Sequence, residues 1–168
     1  MKCLALVDGG LVPLGHELCL KSLDFLNFSS ALSRDLLNNF SLLVADQDRD
    51  YRTRYQDLAR TGRYQVHMVG SGHEAFEIAG GQSFHLTIVD DRVPEMGGIE
   101  TIRLLMGRTP ILPCVLVVQN PTKERRMEAL GAGAVTMITK PFDLEMLHVT
   151  VDRIIEKCYP SVHSFGSS

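Results

Sequence analysis

The sequence predicts an α/β fold: an open, doubly wound, five-stranded parallel sheet with helices on both faces. Three observations carry this. From Ser41 onward, short apolar runs alternate with segments whose apolar residues recur at helical spacing, five times over. The run Leu112 to Val118 is nearly all apolar, as a strand buried on both faces requires. Glycines and capping residues fall where a helix must start or stop.

The elements follow in order. Leu42-Leu43-Val44-Ala45 is the first strand. Tyr51, Tyr55, Leu58 and Ala59 line the next helix, which Gly62 stops. Gln65 to Val69 is the second strand. Ser71 and Glu74 have capping-box spacing and open a helix through Phe76 and Ile78 that ends at Gly80-Gly81. Phe84 to Val89 is the third strand, and Ile99, Ile102 and Leu105 or Met106 mark the third helix. After the fourth strand, Met127 and Leu130 mark a fourth helix closed by Gly131 and Gly133. Ala134 to Ile138 is the fifth strand. Asp143 caps a last helix whose buried stripe is Leu144, Leu147, Val151 and Ile155. The alternation occupies residues 41–157.

Residues 1–40 stand outside it. They read as an N-terminal extension, poorly ordered or holding one or two short helices, one of them lined by Leu32, Leu36 and Phe40. Gly9-Gly10 and Pro13 break what precedes. Residues 158–168 are a Ser-rich C-terminal tail.

Composition bounds the function. Of the 168 residues, 45% are apolar and 22% charged, a balance that suits a globular protein and argues against disorder throughout. The net charge of −3 lacks the basic excess of a nucleic-acid binder. Arg49, Arg52, Arg54, Arg60 and Arg63 are interleaved with acids and read as a solvated helix face. The four cysteines have no metal-ligand spacing, and Cys114 lies in an apolar run. A reducing, cytoplasmic compartment is expected. The six histidines are scattered. No apolar stretch is long enough for a bilayer, and Asp8 interrupts the start too early for a secretion signal.

Chemistry is expected at one edge of the sheet. Ligands of such sheets bind outside the carboxyl ends of the strands, where chain order reverses. Asp46 follows the first strand, Asp90 ends the third, Val118 ends the fourth, and Lys140 follows the fifth, just before Pro141. Two carboxylates and an ammonium converging there point to phosphoryl chemistry assisted by a divalent metal.

The run Val89-Asp90-Asp91-Arg92-Val93-Pro94-Glu95-Met96-Gly97-Gly98 resembles the phosphoacceptor loop of response-regulator receivers: an aspartate, three residues, proline, then Met-x-Gly. Gly133-Ala134 followed by Thr139-Lys140-Pro141-Phe142 resembles the closing motif of that family. The resemblance covers about Leu42 to Ile155. It implies a flavodoxin-like (CheY-like) strand order, 2-1-3-4-5, and a part in two-component phosphorelay signalling. Asp90 would take a phosphoryl group from a histidine kinase or phosphotransfer protein, and Lys140 would contact it. Asp46, Asp90 and the backbone carbonyl of Arg92 would hold Mg²⁺. Pro141 would hold the turn that presents Lys140, with its peptide bond cis.

Three positions depart from the family. The adjacent acids after the first strand are Asp46-Gln47 here. Gln47 offers a carbonyl oxygen without charge, so Mg²⁺ affinity should fall. Asp48 is a candidate to compensate. The Ser or Thr at the end of strand four is Val118, which has the shape but no hydroxyl. The aromatic switch residue of strand five is Met137, a flexible apolar substitute. All three weaken phosphorylation-linked switching.

The sequence is therefore read as a stand-alone atypical receiver, not an enzyme, that signals through protein contacts. The alternative is a phosphorylation-independent pseudo-receiver acting as a docking module. The face of the fourth helix, fifth strand and fifth helix, including Met127, Met146 and Val149, is the expected surface for a downstream protein or homodimer. Asp46-Gln47-Asp48 also resembles the nucleophile loop of haloacid-dehalogenase phosphatases, but Lys140 lies on the wrong side of the Asp90-Asp91 pair. Glu156 to Ser168 has no room for a helix-turn-helix, so no nucleic-acid contact is expected, and output goes through another protein or the chain is a fragment of something longer.

Overall fold

The computed structural model describes residues 40–160 and, before them, the backbone of two short strands. Those strands, β1 (Leu4–Val7) and β2 (Gly10–Pro13), pair antiparallel, with Leu4 opposite Pro13 and Val7 opposite Gly10. The sequence reading drew no strand there. Residues 1–37 and 38–168 form separate compact units. Leu32 and Leu36 of the expected helix, and residues 161–168 of the C-terminal tail, lie outside the described residues, while Cys158, assigned to the tail, ends the last helix. Phe40, assigned to that helix, instead opens a strand. It is buried there because its ring packs among Tyr64, His85 and Tyr159.

The larger unit runs β3 (Phe40–Ala45), α1 (Arg49–Arg60), β4 (Tyr64–Val69), α2 (Gly72–Gly81), β5 (Leu86–Asp90), α3 (Gly98–Arg108), β6 (Cys114–Val118), α4 (Lys123–Ala132), β7 (Ala134–Thr139) and α5 (Leu144–Cys158). All neighbouring strands are parallel, in the order β4-β3-β5-β6-β7. This is the predicted order 2-1-3-4-5. The chain leaves β3 first to one side and then to the other, so the order reverses between β3 and β5.

Two apolar layers cover the sheet. On one face, Leu42, Val44, Ile88, Val115 and Val117 meet Tyr55 and Leu58 of α1 and Leu147, Val151 and Ile155 of α5. On the other, Leu43, Ala45, Val89, Leu116 and Val118 meet Ala75 of α2, Ile99, Ile102 and Leu105 of α3, and Ala129 and Ala132 of α4. Every residue of β5 and β6 is buried, which explains the unbroken apolar run. The stripe of α4 differs from the reading. Met127 and Leu130 point outward, and it is the small Ala129 and Ala132 that pack into the layer against the sheet.

Capping fixes where the helices begin. Asp48 accepts from Asp50 N–H, Thr122 from Arg125 N–H and Asp143 from Met146 N–H. At α2, Ser71 caps Glu74 N–H, but the Glu74 carboxylate returns to Gly70 N–H and not to Ser71, so the box is offset by one residue. Gly133 closes α4 at φ +104°, a conformation that favours glycine.

Candidate functional site

The carboxyl edge of the sheet carries Asp46, one residue beyond β3, and Asp90, the last residue of β5. The reversal of strand order opens a crevice between these two ends. Lys140 arrives from the far side, one residue beyond β7. Its N–H donates to Val118 O at 2.7 Å, which ties the turn to the end of β6. The Lys140-Pro141 peptide is cis, as expected.

The three side chains meet. Lys140 Nζ lies 2.6 Å from Asp90 Oδ2 and 3.0 Å from Asp46 Oδ2. All three residues are buried, at 5%, 5% and 1% exposure for Lys140, Asp90 and Asp46. Charges this deep persist only when paired and hydrogen-bonded, and each carboxylate is. Asp90 Oδ1 accepts Arg92 N–H at 2.8 Å. Asp46 Oδ1 accepts Asp48 N–H at 2.8 Å, and its Oδ2 accepts the Tyr55 hydroxyl at 3.4 Å. Asp48 Oδ2 stands 3.6 Å from the ammonium, on the exposed rim.

Burial sets the ionisation of the group. It pushes the Asp46 carboxyl above its ordinary value, against hydrogen bonds from Asp48 and Lys140 that pull it down. Burial also works against the Lys140 ammonium, yet hydrogen bonds to Asp90 and Asp46 outweigh it, and its pKa is raised. The Tyr55 hydroxyl is pushed up by burial and by the charges of Asp46 and Asp90, so it stays a donor.

A cavity of about 290 Å³ opens on this group, lined by Asp46, Gln47, Asp48, Asp90 and Arg92. All its donors are hard oxygens, the kind Mg²⁺ takes, and Mg²⁺ is commonly held by one or two carboxylates while it keeps several waters. The two buried carboxylates, the Arg92 carbonyl and the neutral, exposed Gln47 fit such an ion. Among the described residues no three His, Cys, Asp or Glu side chains form a ready-made ligand cage.

The remaining predicted positions fall as follows. Val118 is buried in the layer facing α2, α3 and α4, and Met137 packs half-buried against the same layer. Met127, Leu130, Val135, Met146 and Val149, from α4, β7 and α5, are all exposed, at 43% or more. Cys114 is fully buried, and burial pushes its thiol up to about 12. No helix among the described residues is long and apolar enough to cross a membrane.

Sequence reasoning missed three participants. Tyr55 was read as core, but its hydroxyl reaches Asp46. Tyr51 places its ring 4.1 Å from Lys140 Nζ, a cation–π contact, and packs on Phe142 at 4.8 Å. The available signal was the pair of tyrosines one helical turn apart, since a buried hydroxyl needs a partner. Asp91, given no role from the sequence, is paired through both carboxylate oxygens with Arg125 of α4. Nothing local in the sequence announces a contact across 34 residues.

Comparison with known proteins gives the same reading as the geometry. Residues 42–152 match the model of the response regulator receiver domain. Over 130 residues the chain is 32% identical to the transcriptional regulatory protein ZraR of Escherichia coli (strain K12), covering 77% of this chain and 29% of that protein. It is 29% identical over 106 residues to the response regulator protein FleR of Pseudomonas aeruginosa, covering 63% of this chain and 22% of the other. The chain thus spans under a third of these relatives' length. Among solved structures, the chemotaxis protein CheY4 of Vibrio cholerae superposes with a TM-score of 0.65 at 24% identity, covering 68% of this chain and 98% of that one. A CheY-like receiver protein of Methanospirillum hungatei gives 0.69 at 19%, covering 74% and 99%. With residues 42–152, about two thirds of the chain, matching that model, the chain belongs to the response regulator receiver domain family.

Proposed function

We propose that Asp90 accepts a phosphoryl group from the phosphohistidine of a histidine kinase or phosphotransfer protein, and that the domain passes the signal on through protein contacts. The observation that carries this is the buried ammonium of Lys140 bridging Asp90 and Asp46 beside an open cavity. In the transfer, an Asp90 carboxylate oxygen forms a bond to phosphorus as the P–N bond of the phosphohistidine breaks, and the imidazole leaves with the bonding electron pair. Asp90, Asp46 and the Arg92 carbonyl would hold Mg²⁺, which neutralises charge on the phosphoryl oxygens. Lys140 is poised to move from the carboxylates to a phosphoryl oxygen. Tyr51 and Tyr55 keep Lys140 and Asp46 in place for this. The domain is a phosphoryl acceptor and not a turnover enzyme.

The test is intact mass spectrometry after incubation with acetyl phosphate and Mg²⁺. A Mg²⁺-dependent phosphoryl adduct on the wild type and none on Asp90→Ala supports the reading. No adduct on the wild type refutes it and favours a docking module that works without phosphorylation, a reading that the neutral Gln47 and the missing hydroxyl at Val118 would then explain.

For output, the exposed apolar side chains of α4, β7 and α5 are the proposed contact surface, for a downstream protein or a second copy of the domain. Met146→Glu should abolish that association, and unchanged association rules out this face.

A further inference from the structure

With valine at 118, the usual hydroxyl cannot report a phosphoryl group to the neighbouring elements. The structure holds a different connection. Asp91 follows the acceptor directly, and its backbone is fixed on both sides. Its N–H donates to Val117 O at 2.8 Å, and its carbonyl accepts Gly98 N–H at 3.0 Å. A displacement at Asp90 therefore reaches Asp91 instead of dissipating in a loose loop. The Asp91 carboxylate is gripped by Arg125, with Nε on Oδ2 at 3.1 Å and Nη2 on Oδ1. Arg125 lies in the first turn of α4, where its own N–H is capped by the Thr122 hydroxyl at 3.0 Å. Its third guanidinium nitrogen donates to Glu128 at 2.8 Å, one turn further along. Among the described residues this fork is the polar side-chain link between the acceptor loop and α4.

We propose that the Asp91–Arg125 ion pair couples the state of Asp90 to the position of α4, in place of a hydroxyl at 118. The proposal rests on the reading of Asp90 as phosphoacceptor. A phosphoryl group on Asp90 brings new negative charge beside the Asp91 carboxylate, and that charge competes for the same guanidinium. A planar fork that holds one carboxylate through two parallel bonds cannot satisfy a second anion without turning. Because Arg125 is built into the capped first turn, turning the fork moves the start of α4. That helix carries the exposed Met127 and Leu130. Arg125 is thus a positioning residue. The pair is partly exposed, at 36% for Arg125 and 19% for Asp91, so salt should weaken the coupling.

The experiment follows the adduct and the helix in the same samples. Wild type, Asp91→Asn, Arg125→Met, Arg125→Lys and Glu128→Gln are incubated with and without acetyl phosphate and Mg²⁺. Intact mass reads the adduct, and amide hydrogen exchange reads α4. The expected result is an adduct on every variant. In wild type and Glu128→Gln, phosphorylation should change exchange in α4 by about fivefold or more, the lower end of ordinary coupling between sites. In Asp91→Asn and Arg125→Met that change should vanish, and Arg125→Lys should recover part of it. A merely structural role would alter α4 exchange equally with and without the adduct. An adduct on Arg125→Met with the full α4 response overturns the proposal. So does an adduct on wild type with no α4 response, which leaves the phosphoacceptor reading standing. Loss of the adduct in both Asp91→Asn and Arg125→Met also overturns it, by making the pair part of the acceptor site. No adduct on wild type defeats the phosphoacceptor reading and the coupling with it.

Discussion

Lys140→Met keeps the bulk of the side chain and removes its charge, and the geometry states what is left behind. The ammonium is 2% exposed and sits between carboxylates that are 1% and 7% exposed. Taking away one partner of such a buried group costs about 3–5 kcal/mol, because the remaining charges stay desolvated without compensation. Some compensation survives here: Arg92 N–H on Asp90, and Asp48 N–H with the Tyr55 hydroxyl on Asp46. The loss near neutral pH is therefore placed at about 3 kcal/mol, the low end of that range. Its pH dependence has a definite sign. Asp46 is already raised from 3.8 by burial, and Lys140 pulls it down, so removing Lys140 raises it further. A carboxyl raised in the folded state costs stability in full above its folded pKa, and the cost disappears as pH falls towards the unfolded value. Lys140's own pKa is raised from 10.5, so its contribution is lost only at higher pH and does not disturb the acid side. Urea unfolding at about pH 7.5 and about pH 5 should show the deficit of Lys140→Met relative to wild type shrinking on acidification. A deficit under about 1 kcal/mol at neutral pH, or one that grows towards pH 5, would refute the picture of a desolvated ammonium balancing two carboxylates.

Other consequences are independent of phosphorylation. A Cβ on Gly98 would lie 2.6 Å from Asp90 O and 2.8 Å from Asp91 Cα, so Gly98→Ala should cost about 1–3 kcal/mol in urea unfolding and displace the acceptor loop. Wild-type stability in that variant would show that the loop gives way freely. Glu95 adopts φ +78°, a left-handed conformation that penalises a side chain. Glu95→Gly should relieve it and gain about 1 kcal/mol, seen as a higher melting temperature, and a lower one would mean the Glu95 side chain contributes more than the strain costs. His85 is held below 6.5 by burial, and its Nδ1 accepts Ser41 N–H at 3.0 Å, which requires the neutral ring. The unfolded chain then takes up a proton first, so this contribution to stability is complete above 6.5 and is lost as pH falls towards the folded pKa. His85→Gln, which keeps an acceptor but does not titrate, should flatten the stability profile between about pH 7 and 5, and an unchanged profile would assign that slope to other groups.

How far the sequence could be read depended on the range of the interaction. Strand order, the two-sided burial of β5 and β6, and the meeting of Asp46, Asp90 and Lys140 were all legible. The burial follows from periodicity, the meeting at one edge from the rule that places ligands at the reversal of strand order, and the strand order itself from the resemblance to receivers. The inward face of α4 was not, because Ala129 and Ala132 carry little hydrophobic signal beside Met127 and Leu130. Helix spacing alone cannot say how closely a helix approaches the sheet. Phe40 was misassigned for a related reason. Its helical spacing from Leu36 was real, but its partners are the distant rings of Tyr64, His85 and Tyr159. Tyr55 was half legible, as a buried residue whose hydroxyl had to be satisfied by something unnamed.

The departures from the family act on different links of one chain of events. Gln47 leaves the cavity without a charge where the family has an acid, which in the proposed reading would weaken metal loading. Val118 removes a donor that would exist only in the phosphorylated state. A hydrogen bond to a charged group contributes about 1.5–3 kcal/mol, so its absence alone reduces a phosphorylation-driven shift by about tenfold or more. Met137 would blur the readout of whatever shift the proposed phosphorylation drives. Against these stand features that cost stability and yet persist: buried charges at Asp46, Asp90 and Lys140, and a strained Glu95 four residues from the end of the acceptor strand's neighbour, Asp91. A domain that served only as an apolar docking platform would be more stable with that edge filled by hydrophobic residues. Under the proposed function, the acceptor and lysine would make a phosphoryl site whose output runs by a route other than the hydroxyl, and the grip of Arg125 on Asp91 is the proposed route.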